Sequence, residues 1–320
     1  MKRVPGIIRK NFFLVKLMIS ILVVLILIYT TNAHEMGILF STFNWYFIFP
    51  VILILIFSLF LSTINIFLLL KPQKVSIPLL KLFRYYLFAW AIGLISPGKL
   101  GEFSIVFFLK KHNLTTDAAL IIPIINKLLT VFALLIFSLS GTPFILKYIQ
   151  PNIPSHSFLF ALPAAGIFFL FLGYRKKWIY FIPEKILNQY RKLSDQIRLY
   201  TDKKRKLLLI VFSITLLKWI ITWTGLYLII IGFDYLIPLH HLVFVLSTSK
   251  ILSLIPITLS GLGVREGVAV YLFSGLGYSP EIVLGSLLIM LTLSFAAMIP
   301  IMSFVKVDIK LPEEHLPTNR

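Results

Sequence analysis

The chain has 320 residues, of which 58% are hydrophobic and only 13% charged. A soluble domain carries about 25% charged residues, and one water-soluble core of this length cannot hide so much apolar surface, so lipid is the solvent that fits. The formal net charge is +19, but the basic residues stand in loops between apolar runs. The positive-inside rule accounts for that pattern, and nucleic-acid binding is not expected. There is no Cys, hence no disulfide framework or thiolate site. The six His are scattered without zinc-ligand spacing, so neither a metal nor another cofactor is expected.

A spanning helix needs about 20 apolar residues. The runs 12–29, 46–70, 118–140, 157–174, 207–233 and 282–304 meet this. The first follows a basic start (Lys2, Arg3, Arg9, Lys10, Lys16) and precedes Thr31-Asn32-Ala33. It reads as a transmembrane helix entering from the cytoplasm, with a cleaved signal peptide as the alternative. Two more apolar stretches, 85–110 and 242–276, are each broken in the middle by Gly- and Pro-containing sequence.

Loop charges set the topology. Residues 1–16 carry five Lys or Arg, 71–84 four and 175–206 eleven, while 32–45, 234–241 and 277–281 carry none. Segments 1–16, 71–84, 110–117, 175–206 and the C-terminus are therefore placed in the cytoplasm, and 32–45, 141–156, 234–241 and 277–281 outside. The stretch 85–110 then starts and ends inside. Its first arm of 12 residues, 85–96, reaches only about 18 Å, which predicts a re-entrant hairpin turning at Pro97-Gly98-Lys99-Leu100-Gly101. The stretch 242–276 predicts a second hairpin from the opposite face, turning at Ser260-Gly261-Leu262-Gly263. The basic segment 175–206 places Ile182, Ile186, Tyr190, Leu193 and Ile197 at helical spacing. It reads equally as an interfacial amphipathic helix or as an ordinary basic loop.

The halves repeat. Glu266 follows Glu102 by 164 residues, and Glu281 follows Asp117 by the same 164. Thr115-Thr116-Asp117 and Ser279-Pro280-Glu281 are matching helix starts, a hydroxyl cap with an acid in the first turn. The expected fold is thus an all-α polytopic membrane protein, one integral domain over 1–320. It comprises two inverted repeats, about 46–140 and 210–304, with about six full spans and two re-entrant helical hairpins, an architecture recurrent in transporters.

Seven charges lie within apolar sequence: Lys99, Glu102, Lys127, Lys218, Lys250, Arg265 and Glu266. Buried charges pair or line a polar cavity, and this set has a net excess of +3, which suits an anionic group such as a lipid phosphate. Glu102 and Glu266 each begin the second arm of a hairpin. They read either as caps of free backbone N–H groups or as acids that compete with substrate for the cations. Lys99 reads as a turn residue reaching solvent or as a cavity residue; Lys218 reads as cavity-facing. Adjacent helical residues do not face each other, so Arg265 is expected to pair away from Glu266 or to hold substrate. No G-x-S-x-G, H-E-x-x-H, P-loop or dinucleotide fingerprint occurs.

The segments Ser96-Pro97-Gly98-Lys99-Leu100-Gly101-Glu102 and Gly261-Leu262-Gly263-Val264-Arg265-Glu266 resemble the "PGKxGE" and "GLGxRE" turns of the lysylphosphatidylglycerol synthase/flippase transmembrane family, over roughly residues 10–306. The resemblance implies a flippase-type fold with re-entrant helices that handles aminoacylated phospholipids or, in other members, polyprenyl- or hopanoid-linked substrates. Family roles carry to Pro97, Gly98, Gly101, Glu102, Gly261, Gly263, Arg265 and Glu266. The chain departs from the family where members often carry an Arg shortly after the first Glu (here Phe103, Ser104 and Ile105) and Glu-Arg in the next helix (here Asn126 and Lys127). No soluble aminoacyl-transferase domain is expected before Arg320, hence no aminoacylation by this chain alone.

The resulting expectation is a flippase that moves an anionic phospholipid or lipid-linked intermediate between leaflets, in the cell membrane with both termini cytoplasmic, and not an enzyme. The rivals are a membrane-embedded enzyme acting on a lipid phosphate or glycolipid through one Glu, and a non-transporting partner of a lipid-synthesis enzyme.

Overall fold

The computed structural model describes residues 33–146, 196–200, 204–255 and 258–304, with most of 18–31. The span expected at 157–174 and most of the basic segment 175–206 lie outside the described residues, as does part of the span expected at 12–29.

Among the described residues the chain is helical, without strands. The main helices are α1 (Ala33–Thr42), α2 (Ile48–Leu70), α3 (Leu79–Leu94), α4 (Ile105–Lys110), α5 (Thr116–Leu146), α6 (Arg205–Ile231), α7 (Leu239–Leu252), α8 (Val264–Gly275) and α9 (Pro280–Phe304). Four helical segments are long and apolar enough to cross a membrane: Trp45–Gln73, Thr116–Gly141, Arg205–Ile231 and Pro280–Ser303. They fall on the runs expected at 46–70, 118–140, 207–233 and 282–304. The protein is a multi-pass helical membrane protein.

Two local differences from expectation have simple causes. The loop expected at 32–45 contains α1, whose Leu39 and Phe40 pack on the core around Phe233. The arm expected to start at 85 starts instead at Leu79, because Pro78 takes the extended N-cap geometry (φ −53°, ψ 135°) and pre-sets the first turn. Lys81 and Arg84 then occupy the opening turns, where long basic side chains can reach the interface. At 16 residues, α3 is about 24 Å long, still short of a full crossing.

Several backbone features recur at matching places. Pro238 caps α7 with φ −54° and ψ 134°, close to Pro78 at α3. α9 begins 164 residues after α5. Ahead of these two helices, Asn113 and Gly277 are both left-handed, at φ 60° and 84°, and also 164 apart. The hydroxyls of Thr115 and Ser279 accept the N–H groups of Ala118 and Ile282, each at 3.3 Å, so both expected helix starts are capped.

Packing interleaves the halves. α2 lies along α6, the α3 arm packs on α9, and α7 packs on α5. Gly225 lets α6 approach Ile54 of α2; a Cβ there would sit 3.1 Å from the Ile54 side chain. Gly141 brings α5 against Phe244 of α7, with no room for a side chain. The Ser138 and Thr248 hydroxyls bond at 2.7 Å across that contact. Within the basic segment, residues 196–200 are helical and dock on the end of α2: Tyr200 is fully buried and donates to the Leu69 carbonyl at 2.6 Å.

Candidate functional site: a charged cavity between two turns

The turns after α3 and α7 meet. Pro97 and Leu259 form an isolated antiparallel bridge, and the Ser260 N–H donates to the Ser96 carbonyl at 2.9 Å. Backbone groups freed at a helix break need new partners, and these turns find them within each turn, across to the other turn and on the N-terminal segment. In the first, the Ser96 hydroxyl donates to the Gly93 carbonyl at 3.1 Å and accepts the Gly101 N–H at 2.6 Å. Gly98 and Lys99 are left-handed there (φ 56° and 57°). Gly101 faces the Ile92 backbone so closely that a Cβ would lie 2.5 Å from its carbonyl oxygen.

The second turn uses Gly261 and Gly263 at φ 78° and 80°, values that suit glycine. Gly263 is the N-cap of α8, and the Glu266 carboxylate accepts its N–H at 2.8 Å. Outside this turn sits the N-terminal helical segment. Ser20 accepts the Leu259 N–H at 3.0 Å, and Val23 covers Gly263.

Behind the turns is a cavity of about 200 Å³. All seven charges named from the sequence line it: Lys99, Glu102, Lys127, Lys218, Lys250, Arg265 and Glu266. They come from separate places: the first turn, α5, α6, the end of α7 and the start of α8. Two ion pairs form. Lys127 Nζ meets Glu102 Oε2 at 3.1 Å, with the two side chains 25% and 23% exposed. Arg265 meets the fully buried Glu266, donating from Nε at 2.9 Å and also from a terminal nitrogen.

Arg265 was expected to pair away from its neighbour, and the structure corrects this. At a helix N-terminus the Glu at the third position turns back towards the cap, and a long guanidinium can then reach the same carboxylate. The two glutamates also part company. Glu266 is a cap, whereas Glu102 forms no cap and points at Lys127, its Cγ packed against Gly93.

Lys99, Lys218 and Lys250 form no ion pair among the described residues. Lys99, from the first turn, and Lys250, near the end of α7, line the same cavity as Arg265 and Lys127. Lys218 feels Lys99, Lys127 and Glu102 and lies 5.0 Å from the Trp219 ring centroid, a cation–π contact. The rest of the wall is aromatic and aliphatic, with Trp90, Trp219 and Trp223 prominent. The Trp219 indole N–H and Asn126 Oδ1 are buried with no partner among the described residues, so both can serve a bound group.

Reading charges alone misses Trp219, Trp223 and Asn126. A usable signal exists: Lys218, Trp219, Thr222, Trp223 and Leu226 follow three- and four-residue spacing and all line the cavity, so the face carrying Lys218 could have been followed along α6. Asn126 is marked only by the family resemblance, as the neighbour of Lys127 where members often carry Glu-Arg. Among the described residues no group of three His, Asp or Glu is placed to hold a metal.

No curated protein and no solved structure matches the chain. The family model described as the lysylphosphatidylglycerol synthase TM region matches residues 13–301, which include both turns and every charged residue of the cavity. With nearly its whole length matched, the chain belongs to the lysylphosphatidylglycerol synthase TM region family.

Proposed function

We propose that the protein is a flippase: a non-enzymatic transporter that moves an anionic phospholipid or lipid-linked intermediate between leaflets of the cell membrane. The observation that carries this reading is the cavity, where three lysines without carboxylate partners among the described residues converge behind two meeting turns in a protein of apolar helices. Uncompensated cations in a low-dielectric interior are costly, and an anionic headgroup entering from either leaflet would relieve that cost. Membership of a membrane family associated with lipid handling supports the same reading.

The reading includes two inverted repeats whose hairpins enter from opposite faces, with both termini cytoplasmic. The equal 164-residue offsets, the paired left-handed residues and the interleaved helices support it. The chain has no native Cys, so single-cysteine labelling is a direct test. Lys111 and Gly275 are exposed and 164 apart. Lys111→Cys is expected to react with an impermeant maleimide only from the cytoplasmic side, and Gly275→Cys only from the outer side. Labelling of both from one side would refute the inverted topology.

Transport is tested in proteoliposomes with fluorescent phosphatidylglycerol and phosphatidate, by the fraction of label a membrane-impermeant quencher reaches. The protein is expected to equilibrate at least one of them between leaflets, and Lys218→Met to slow that exchange at least tenfold without loss of folded protein. Rates equal to protein-free vesicles for both lipids would overturn the transport reading.

A further inference from the structure

We propose that this cavity selects a lipid headgroup with two or more negative charges, a phosphomonoester or a diphosphate, over a singly charged phosphodiester and over a cationic aminoacyl ester. The inference rests on the headgroup-site reading above; of the substrates that the family resemblance implies, it disfavours the aminoacylated phospholipids.

The argument is a charge count made with geometry. Five cations and two carboxylates line the cavity. Glu266 is committed twice, to the Gly263 N–H and to Arg265, so it cannot swing away to serve a lysine. Glu102 is committed to Lys127. Lys99, Lys218 and Lys250 remain, and they arrive from three different elements.

Lys99 and Lys250 both line the cavity beside turns that bridge at Pro97 and Leu259, an arrangement of like charges that a bridging anion makes favourable. A phosphodiester brings one negative charge to a lining with three lysines that no described carboxylate meets. A terminal phosphate carries about −1.5 to −2 near neutral pH and presents three acceptor oxygens. Lysine ammonium groups are compact point charges with three donors each, suited to those oxygens, and the unpartnered Trp219 N–H adds another donor. An aminoacyl ester would bring a further cation into a cavity already in cationic excess. The cavity, at about 200 Å³, exceeds the roughly 150 Å³ that admits one benzene. It has room for a headgroup, with the hydrocarbon left outside.

Trp90, Trp219 and Trp223 line the cavity, three of the five tryptophans, so intrinsic fluorescence reports its occupation. Detergent-solubilised full-length protein is titrated with dioctanoyl phosphatidate, farnesyl diphosphate, dioctanoyl phosphatidylglycerol, its lysyl ester and inorganic pyrophosphate. Phosphatidate and farnesyl diphosphate are expected to bind at least tenfold more tightly than phosphatidylglycerol, and the lysyl ester more weakly still. A Lys99→Gln/Lys250→Gln double variant, checked for folding by circular dichroism, is expected to erase that preference.

Phosphatidylglycerol binding as tightly as phosphatidate to the wild-type protein overturns this inference while leaving an anionic headgroup site intact. Fluorescence unmoved by every lipid overturns both readings. Pyrophosphate binding as tightly as farnesyl diphosphate makes the ligand a water-soluble anion, and the lipid part of the proposal falls. The wild-type comparison needs no variant, so a misfolded double variant does not shield the proposal.

Discussion

Glu266→Ala is expected to remove most of the folded protein from detergent extracts. The carboxylate is fully buried, accepts the Gly263 N–H at 2.8 Å and holds the Arg265 guanidinium. Removing one partner of a buried ion pair costs about 3–5 kcal/mol because the other charge is stranded, and losing a helix cap adds about 1 kcal/mol. Native proteins hold only about 5–15 kcal/mol in total. Arg265 is 25% exposed to the cavity side, which places the loss towards the lower end.

Glu266→Gln separates the two contributions. Glutamine keeps an oxygen for the Gly263 N–H, as in a capping box, but no longer neutralises Arg265. Its thermal unfolding midpoint is expected to lie between those of the wild type and the alanine variant, with lipid exchange still impaired. Equal midpoints for Glu266→Ala and the wild type would show that the buried pair does not hold the second turn.

Gly101→Ala is expected to slow lipid exchange by about a hundredfold, the scale on which a shift near 1 Å degrades a positioned site. The added Cβ would lie 2.5 Å from the Ile92 carbonyl oxygen and 2.6 Å from its carbon. Both are backbone atoms and cannot rotate aside, so the turn must open. Lys99 and Glu102 flank Gly101 and line the cavity, and the Glu102–Lys127 contact at 3.1 Å would lengthen. Gly37→Ala is the control. A Cβ there meets no atom of the described residues within 4 Å, and alanine favours a helix by up to about 1 kcal/mol, so transport is expected to be unchanged and the midpoint equal or higher. Unchanged exchange in Gly101→Ala, in vesicles where Lys218→Met is slow, would sink the link between turn closure and the cavity.

Much of this protein is legible in its residues. Four of the expected spans match the four long apolar helices because length and hydropathy in a bilayer are local properties: a helix satisfies its own backbone and needs only about 20 apolar residues. The breaks at Pro97-Gly98 and Gly261-Leu262-Gly263 are legible for the same reason, since Gly98, Gly261 and Gly263 mark left-handed backbone, although Lys99 and Ser260 adopt it too. So is the set of seven cavity charges, because a charge inside an apolar run must find a polar place to go.

The partners of those charges were decided elsewhere. Sequence spacing kept Arg265 apart from Glu266, yet a carboxylate drawn back to the N-cap brought the two together. The symmetric reading of the two glutamates also failed to survive packing. Glu266 found the free N–H of Gly263 at the start of α8, whereas the N–H of Gly101 in the first turn is taken by Ser96, and Glu102 turned to Lys127 on another helix. Lys99 and Lys250 stand 151 residues apart and become neighbours only because the two turns bridge at Pro97 and Leu259. Composition fixes which groups are too costly to leave in lipid. Which group answers which depends on distances between helices, and those follow from close approaches such as Gly141 on Phe244 and Gly225 on Ile54, long-range contacts that no local pattern records.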